Sequence, residues 1–174
     1  MKKAIKIILL LIIAITWMFC IYKLSSMNSK NSNSKSTDII SIFIEDALDF
    51  TNDYGITNSH PNADKLAKAS SLINAPMRKV IHATVYFVLA FFIMILLNII
   101  FDYKKYWLTL IITLILCIGF AMLDEYHQTF VVGRNGQILD VCIDSVGAIC
   151  GLLFYSTYQI VYINGIKKGV SLKE

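Results

Sequence analysis

The sequence predicts an all-α membrane protein: a four-transmembrane-helix bundle with an extracytoplasmic loop that contains short amphipathic helices. The chain of 174 residues is 56% hydrophobic and 16% charged, whereas a soluble domain of this size needs more polar surface. The apolar residues are gathered in runs long enough to cross roughly 30 Å of hydrocarbon at about 1.5 Å per residue. Lysines stand at the ends of these runs, a pattern typical of membrane topology determinants.

The net charge of +4 is therefore interpreted by position, and we predict the lipid bilayer as a partner and no nucleic-acid partner. The cysteines Cys20, Cys117, Cys142 and Cys150 fall inside apolar runs without C-x-x-C spacing. This argues against a zinc knuckle or a thioredoxin motif. We expect the four cysteines to be small buried core residues.

The first apolar run covers residues 7–22, after Lys2, Lys3 and Lys6. A signal peptide also begins this way, but bulky residues at 16–20 leave no small-x-small cleavage site. We favour a retained helix and assign residues 1–24 to an N-terminal transmembrane helix.

Residues 25–77 are assigned to an extracytoplasmic linker with short helices. Ser, Asn and Lys dominate residues 25–35, which indicates a flexible segment. Apolar residues recur at helical spacing over 37–50, behind a Thr-Asp cap, and predict an amphipathic helix. Its acidic polar face favours packing against the protein over binding to anionic lipid. Residues 65–73 predict another short helix, and Pro76 suits the first turn of a new one.

Three further spans are predicted at residues 80–101, 106–123 and 138–163. The second and third are joined by a few residues, so they form an antiparallel hairpin. We group residues 78–163 as a three-helix core and assign residues 164–174 to a cytoplasmic tail.

The orientation follows from the lysines that flank the spans. Positive charges next to a membrane prefer the cytoplasm. With four spans, one side collects Lys2, Lys3, Lys6, Lys104, Lys105, Lys167, Lys168 and Lys173. We predict a multi-pass protein of the cell membrane with both termini in the cytoplasm and the polar segment 124–137 outside.

The fourth span carries Asp140, Asp144, Gly147 and Gly151 at intervals of 4, 3 and 4 residues, which places them on one helix stripe. A charged Asp costs roughly 2.5–3.5 kcal/mol at a bilayer centre, so the aspartates must face the bundle interior. The two glycines allow close approach of another helix. That helix belongs either to the same bundle or to a second copy in a dimer.

The second span carries Lys79, His82 and Tyr86 on one stripe near its outer end, opposite the aspartates. Arg134 lies in a glycine-containing turn and suits bidentate binding of a carboxylate or phosphate. The candidate binding cleft comprises Lys79, His82, Tyr86, Asp124, Glu125, His127, Gln128, Arg134, Asp140 and Asp144.

Plainer interpretations stand beside this one. His82 is more often a buried histidine bonded to an aspartate, and the aspartates also suit structural ion pairs. Metal binding by the histidines and carboxylates is chemically allowed, but Glu-Tyr-His is not a zincin motif, so we predict no metal and no cofactor.

These residues resemble the VanZ-like family of bacterial membrane proteins. The motifs are Arg78-Lys79-x-x-His82-x-x-x-Tyr86, Leu123-Asp124-Glu125-x-His127-Gln128-x-Phe130, Arg134, and Asp140-x-x-x-Asp144-x-x-Gly147-x-x-x-Gly151. They cover the chain from about residue 78 onward, and the amino-terminal helix fits the family layout. Family members often have Pro before the arginine, where this chain has Val131-Val132-Gly133.

The resemblance implies a cell-envelope role, because the founding member is associated with resistance to teicoplanin. Three hypotheses follow. The cleft binds an amphiphile, such as a lipid-linked cell-wall precursor or a glycopeptide; or a carboxylate–histidine pair serves a small hydrolase or group-transfer enzyme; or the polar residues are interhelical clasps in a structural or accessory protein.

Overall fold

Four long helices make up most of the molecule. The structure, a computed structural model, describes residues 2–27, 37–38, 40–42, 44–46, 49–50 and 63–171. The helices are α1 (Lys2–Ser25), α2 (Ala63–Ile100), α3 (Tyr106–Gln128) and α4 (Ile138–Ser171). Each contains a stretch long and apolar enough to cross a membrane: Lys2–Ser25, Leu72–Ile100, Tyr106–Gln128 and Ile138–Val161. The predicted all-α, four-span, multi-pass membrane protein is confirmed.

Helices α2 and α4 pack backbone against backbone. A Cβ atom on Gly147 would lie 2.1 Å from the carbonyl oxygen of Ala83, and one on Gly151 would lie 2.3 Å from that of Phe87. No side chain fits in that space, so the glycine stripe of α4 sets the distance between the helices. The contact is made within one chain.

The core lies between these two helices and α3, and α1 joins at one side. Tyr86, Leu89 and Met94 of α2 are fully buried against Ala121 and Ala148. Ile21 of α1 packs into the same cluster. The indole Nε1 of Trp17 donates to the carbonyl of Val85 over 2.9 Å, which fixes the height of α1 beside α2.

The beginning of α2 differs from the prediction. The helix starts at Ala63 and continues through Pro76, so the expectation that Pro76 begins a new helix was wrong. Proline removes one backbone donor, yet long membrane helices tolerate the loss when neighbouring groups satisfy the freed carbonyl. The short helix expected at 65–73 is the first part of α2.

The linker is described only in part. Residues 37–38, 40–42, 44–46 and 49–50 are helical, in agreement with the predicted amphipathic helix. Ile40 is buried, and Asn74 Nδ2 of α2 donates to Thr37 Oγ1 over 2.9 Å. This segment therefore packs against the protein. The predictions for residues 28–36 and 51–62 lie outside the described residues, and the domain limits stay predictions.

The expectation of four buried cysteines was wrong for three of them. Cys117 is buried, whereas Cys20, Cys142 and Cys150 lie on the outer surface of the helices. A thiol is apolar enough to face lipid as well as core, so membership of an apolar run does not separate the two environments.

The turn between α2 and α3 closes the opposite end of the bundle from Ser25. Asp102 and Tyr103 adopt left-handed backbone angles (φ 52° and 60°), and the Tyr103 amide donates to the Asn98 carbonyl over 2.8 Å. Lys3 Nζ of α1 lies 2.5 Å from Asp102 Oδ1. This hydrogen bond and the positive charge of Lys3 lower the pKa of Asp102.

Candidate functional site

A polar cavity of about 270 Å³ opens at the end of the bundle where α1 and α3 finish and α4 begins. Three elements meet there: the amino-terminal half of α2, the end of α3 with the following loop, and the first two turns of α4. The lining residues are Arg78, Lys79, His82, Glu125, Gln128, Gly133, Arg134, Asn135, Gln137, Asp140, Ile143 and Asp144.

The α2–α4 wall holds two pairs of opposite polar groups. Lys79 Nζ lies 3.2 Å from Asp140 Oδ1. One helical turn deeper, His82 Nδ1 lies 3.8 Å from Asp144 Oδ1, which is too long for a hydrogen bond. The close contact of α2 with Gly147 brings the two stripes within reach of each other.

The α3 wall is centred on Glu125, whose two carboxylate oxygens both accept hydrogen bonds. Gln128 Nε2 donates to Oε1 over 2.8 Å and the Gln137 backbone amide donates to Oε2 over 2.9 Å. The loop can approach α3 this closely because residue 136 is a glycine. A Cβ atom there would lie only 2.5 Å from the Glu125 carbonyl oxygen. Glu125 therefore anchors the loop that covers the cavity.

Arg134 reaches inward from that loop and is 8% exposed. Its guanidinium donates to Gln128 Oε1 over 3.1 Å. Burial, followed by the nearby Arg78 charge, lowers the pKa of Arg134, while the carboxylates around it oppose the shift. Arginine remains protonated in proteins at neutral pH, so the loop supplies a fixed positive charge.

Asp144 forms the deep end of the cavity. Its side chain is 0% exposed, and neither carboxylate oxygen has a hydrogen-bond partner among the described residues. His82 Nδ1 and the Tyr86 hydroxyl are also buried without a hydrogen-bond partner there. Buried polar groups in proteins are nearly always hydrogen-bonded, so the floor of the cavity has unmet hydrogen-bonding capacity.

Three of the predicted site residues do not line the cavity. Asp124 lies behind it, where its Oδ2 accepts a 2.6 Å hydrogen bond from Ser25 Oγ of α1. Tyr86 is fully buried. His127 faces α1, with its ring 4.5 Å from that of Tyr22 and Nε2 3.1 Å from Ser26 Oγ. The other seven, Lys79, His82, Glu125, Gln128, Arg134, Asp140 and Asp144, come together.

Sequence reasoning missed several lining residues. Arg78 had a usable signal, because it stands four residues before His82 and shares its helix face. Gln137 had no signal in the sequence, because it acts through its backbone amide and any residue type except proline could supply that group. Asn135 and Ile143 line the cavity only because of the fold of the loop and the rotation of α4.

No three His, Cys, Asp or Glu side chains of the described residues are grouped so that they could hold a metal ion. The residues of the cavity are instead a mixed set of cations, carboxylates and amides. Such a set suits recognition of a charged organic group through hydrogen bonds and ion pairs.

The fold and the site define a multi-pass helical membrane protein with a charged cavity at one end of its bundle. The family model described as VanZ/LLP1 matches residues 8–161, so the chain belongs to the VanZ/LLP1 family. The resemblance found in the motifs is thereby confirmed. Comparison with curated proteins and with solved structures gave no match.

Proposed function

We propose that the protein is a binding protein of the cell envelope that holds the charged headgroup of an amphiphile in this cavity. In this proposal the cavity opens to the outside and both termini lie in the cytoplasm. The carrying observation is that Arg78, Lys79 and Arg134 surround an opening whose floor is the buried Asp144, which accepts no hydrogen bond from the described residues.

The absence of a hydrogen-bond donor to Asp144 among the described residues favours a binding site over a purely structural role. Ionisable side chains inside a membrane are costly and usually pair with one another or serve a function. Lys79 and Asp140 form a 3.2 Å ion pair, as an interhelical clasp would. Asp144 and His82 come close but form no hydrogen bond, which is the arrangement expected where a ligand completes the network.

The size of the cavity limits the ligand. Pockets for drug-sized molecules occupy about 300–1,000 Å³, and this cavity is about 270 Å³. It suits one headgroup and excludes an entire glycopeptide. Guanidinium and ammonium groups favour phosphate or carboxylate, so the headgroup of a lipid, such as a lipid-linked cell-wall precursor, fits better than an antibiotic.

The direct test is binding of dodecyl phosphate to the full-length protein in nanodiscs. We expect Arg134→Ala to weaken binding about 10-fold or more, because a hydrogen bond to a charged group contributes about 1.5–3 kcal/mol. The matched control is Lys105→Ala, which removes an exposed cation at the opposite end. Equal affinity of both variants and the wild type contradicts the proposal.

In cells, the proposal extends to teicoplanin susceptibility through the family association. Cells that express the protein are expected to tolerate more teicoplanin than cells that express Arg134→Ala at the same level, because the arginine is needed to hold the precursor headgroup. If cells with the wild-type protein and cells with Arg134→Ala are equally susceptible at equal protein level, the role in teicoplanin tolerance is contradicted.

A second candidate is a small membrane enzyme, favoured by the position of His82 Nδ1 opposite Asp144. A carboxylate facing an imidazole can act as a general acid–base pair once the two groups come into hydrogen-bond contact, as often happens only when the substrate binds. The purified protein would then release phosphate from a lipid-linked phosphate, and His82→Ala would abolish turnover while leaving binding of dodecyl phosphate measurable. Absence of turnover by the wild type rejects the enzyme.

A further inference from the structure

We propose that the headgroup is an aminoalkyl phosphate, whose phosphate is held by the cations at the cavity opening and whose ammonium group donates to Asp144 at the floor. This inference rests on the proposed function and narrows its ligand class. Its basis is the position of the three carboxylates of the cavity relative to the donors around them.

The cavity is lined by equal numbers of basic and acidic side chains. The basic ones are Arg78, Lys79 and Arg134, and the acidic ones are Glu125, Asp140 and Asp144. A purely anionic headgroup would match the cations and leave the floor carboxylate buried beside it. A zwitterionic headgroup meets both signs, and like-charge placement is avoided.

Two of the three carboxylates already have a close partner. Glu125 accepts hydrogen bonds from Gln128 and from the Gln137 amide. Asp140 forms an ion pair with Lys79 at 3.2 Å, although its Oδ1 accepts no hydrogen bond among the described residues. Asp144 has no hydrogen bond among the described residues, and its nearest ion-pair partner is His82 at 3.8 Å. At the floor of the cavity, Asp144 therefore lacks a hydrogen-bond donor.

A primary ammonium group could supply the hydrogen-bond donors that Asp144 lacks. It presents three N–H donors and one positive charge, which suits a carboxylate whose two oxygens accept no hydrogen bond from the described residues. A quaternary ammonium carries the charge but no N–H donor, and a hydroxyl carries one donor but no charge. The floor therefore discriminates between headgroups by their terminal group.

The spacing of the two levels fits this headgroup. Asp140, at the level of Lys79, and Asp144 are four residues apart on α4, which corresponds to about 6 Å along the axis. A phosphorus and a nitrogen joined through O–C–C are separated by four bonds of about 1.5 Å, or about 5 Å when extended. One turn of helix thus separates the phosphate and ammonium positions.

The test uses three short-chain lipids with the same dihexanoyl chains: phosphatidylethanolamine, phosphatidylglycerol and phosphatidylcholine. Each is titrated into the full-length protein in detergent by calorimetry. We expect the ethanolamine lipid to bind at least about 10-fold more tightly than the choline lipid, because the choline group has no N–H donor for Asp144. Asp144→Asn is expected to remove this preference, whereas Asp102→Asn at the opposite end keeps it.

The outcomes separate this inference from the proposed function. Equal affinity of the wild type for the three lipids, or a preference that survives in Asp144→Asn, overturns the inference while phosphate binding stands. Failure to bind any of the three lipids and dodecyl phosphate overturns both. If Asp144→Asn does not fold, the wild-type lipid series decides the inference by itself.

Discussion

Gln128 connects more elements of the site than any other single side chain described above. Its amide nitrogen lies 2.8 Å from Glu125 Oε1, 3.2 Å from Ser25 Oγ and 3.3 Å from Asp124 Oδ2, and its oxygen accepts from Arg134. One amide at the end of α3 thus joins α1, the loop and the cavity wall. Its orientation is fixed because donors and acceptors surround it on opposite sides.

At the residue scale, we predict that Gln128→Ala lowers the free energy of unfolding by about 1–3 kcal/mol, because buried partners lose their hydrogen bonds. The measurement is thermal unfolding in detergent. The matched control is Gln159→Ala, which removes one hydrogen bond to the Tyr155 hydroxyl and is expected to cost less. An equal loss of unfolding free energy in both variants would show that the hydrogen bonds of Gln128 contribute no more to stability than a single one does.

A second prediction at this scale concerns pH. The pKa of Asp102 is lowered by the hydrogen bond from Lys3, so this pair stabilises the fold above the ordinary aspartate pKa of about 3.9. The contribution is lost as the pH falls through the lowered pKa. In Lys3→Ala, carboxyl NMR titration should return the pKa of Asp102 towards its ordinary value. An unchanged titration would mean that α1 does not dock on the turn.

The sequence predicts residues of the cavity where chemistry and spacing coincide. Asp140, Asp144 and His82 are expensive in a membrane, and helical periodicity gives the stripe that each occupies. His127 shows the limit, because it lies on the same segment as Glu125 yet faces Tyr22 of α1. Which neighbour a helix face meets depends on packing of the whole bundle, which periodicity does not contain.

At the scale of the helices, the glycines of α4 determine the geometry of the site. Without side chains at Gly147 and Gly151, the carbonyls of Ala83 and Phe87 approach α4 directly. This places His82 beside Asp144 and Lys79 beside Asp140. Wider separation of α2 and α4 would break both pairs at once.

We therefore predict that Gly147→Ala destabilises the protein by about 1–3 kcal/mol, since the added methyl group forces the helices apart. Gly119→Ala is the matched control, because a Cβ there meets nothing within 4 Å and alanine is the better helix former. Unfolding in detergent measures both. Equal stability of Gly147→Ala and the wild type would contradict this account of helix packing.

The existence of the four helices follows from the length of the apolar runs, but some of their limits do not. The hydrophobic pattern places the start of α3 at Tyr106 and that of α4 at Ile138, as in the structure. The start of α2 was missed because Pro76 suggests a boundary, whereas the helix continues through it. The effect of a proline depends on tertiary contacts that satisfy the freed backbone groups.

At the scale of the whole molecule, the two ends of the bundle differ in chemistry. One end collects Lys2, Lys3 and Lys6 beside the turn with Asp102, and the other carries the charged cavity. Positive charges next to spans prefer the cytoplasm, so we propose that the lysine end lies inside and the cavity outside. The proposed function requires this orientation, because its ligand lies in the outer half of the envelope.

The most direct test of the central claim is the labelling of single cysteines in intact cells with a membrane-impermeant maleimide. In a variant without the four native cysteines, Asn135→Cys reports the rim of the cavity and Lys105→Cys reports the opposite end; both positions are exposed. We predict labelling of Asn135→Cys in intact cells and of Lys105→Cys only after permeabilisation. The reverse pattern would place the cavity in the cytoplasm and contradict the account.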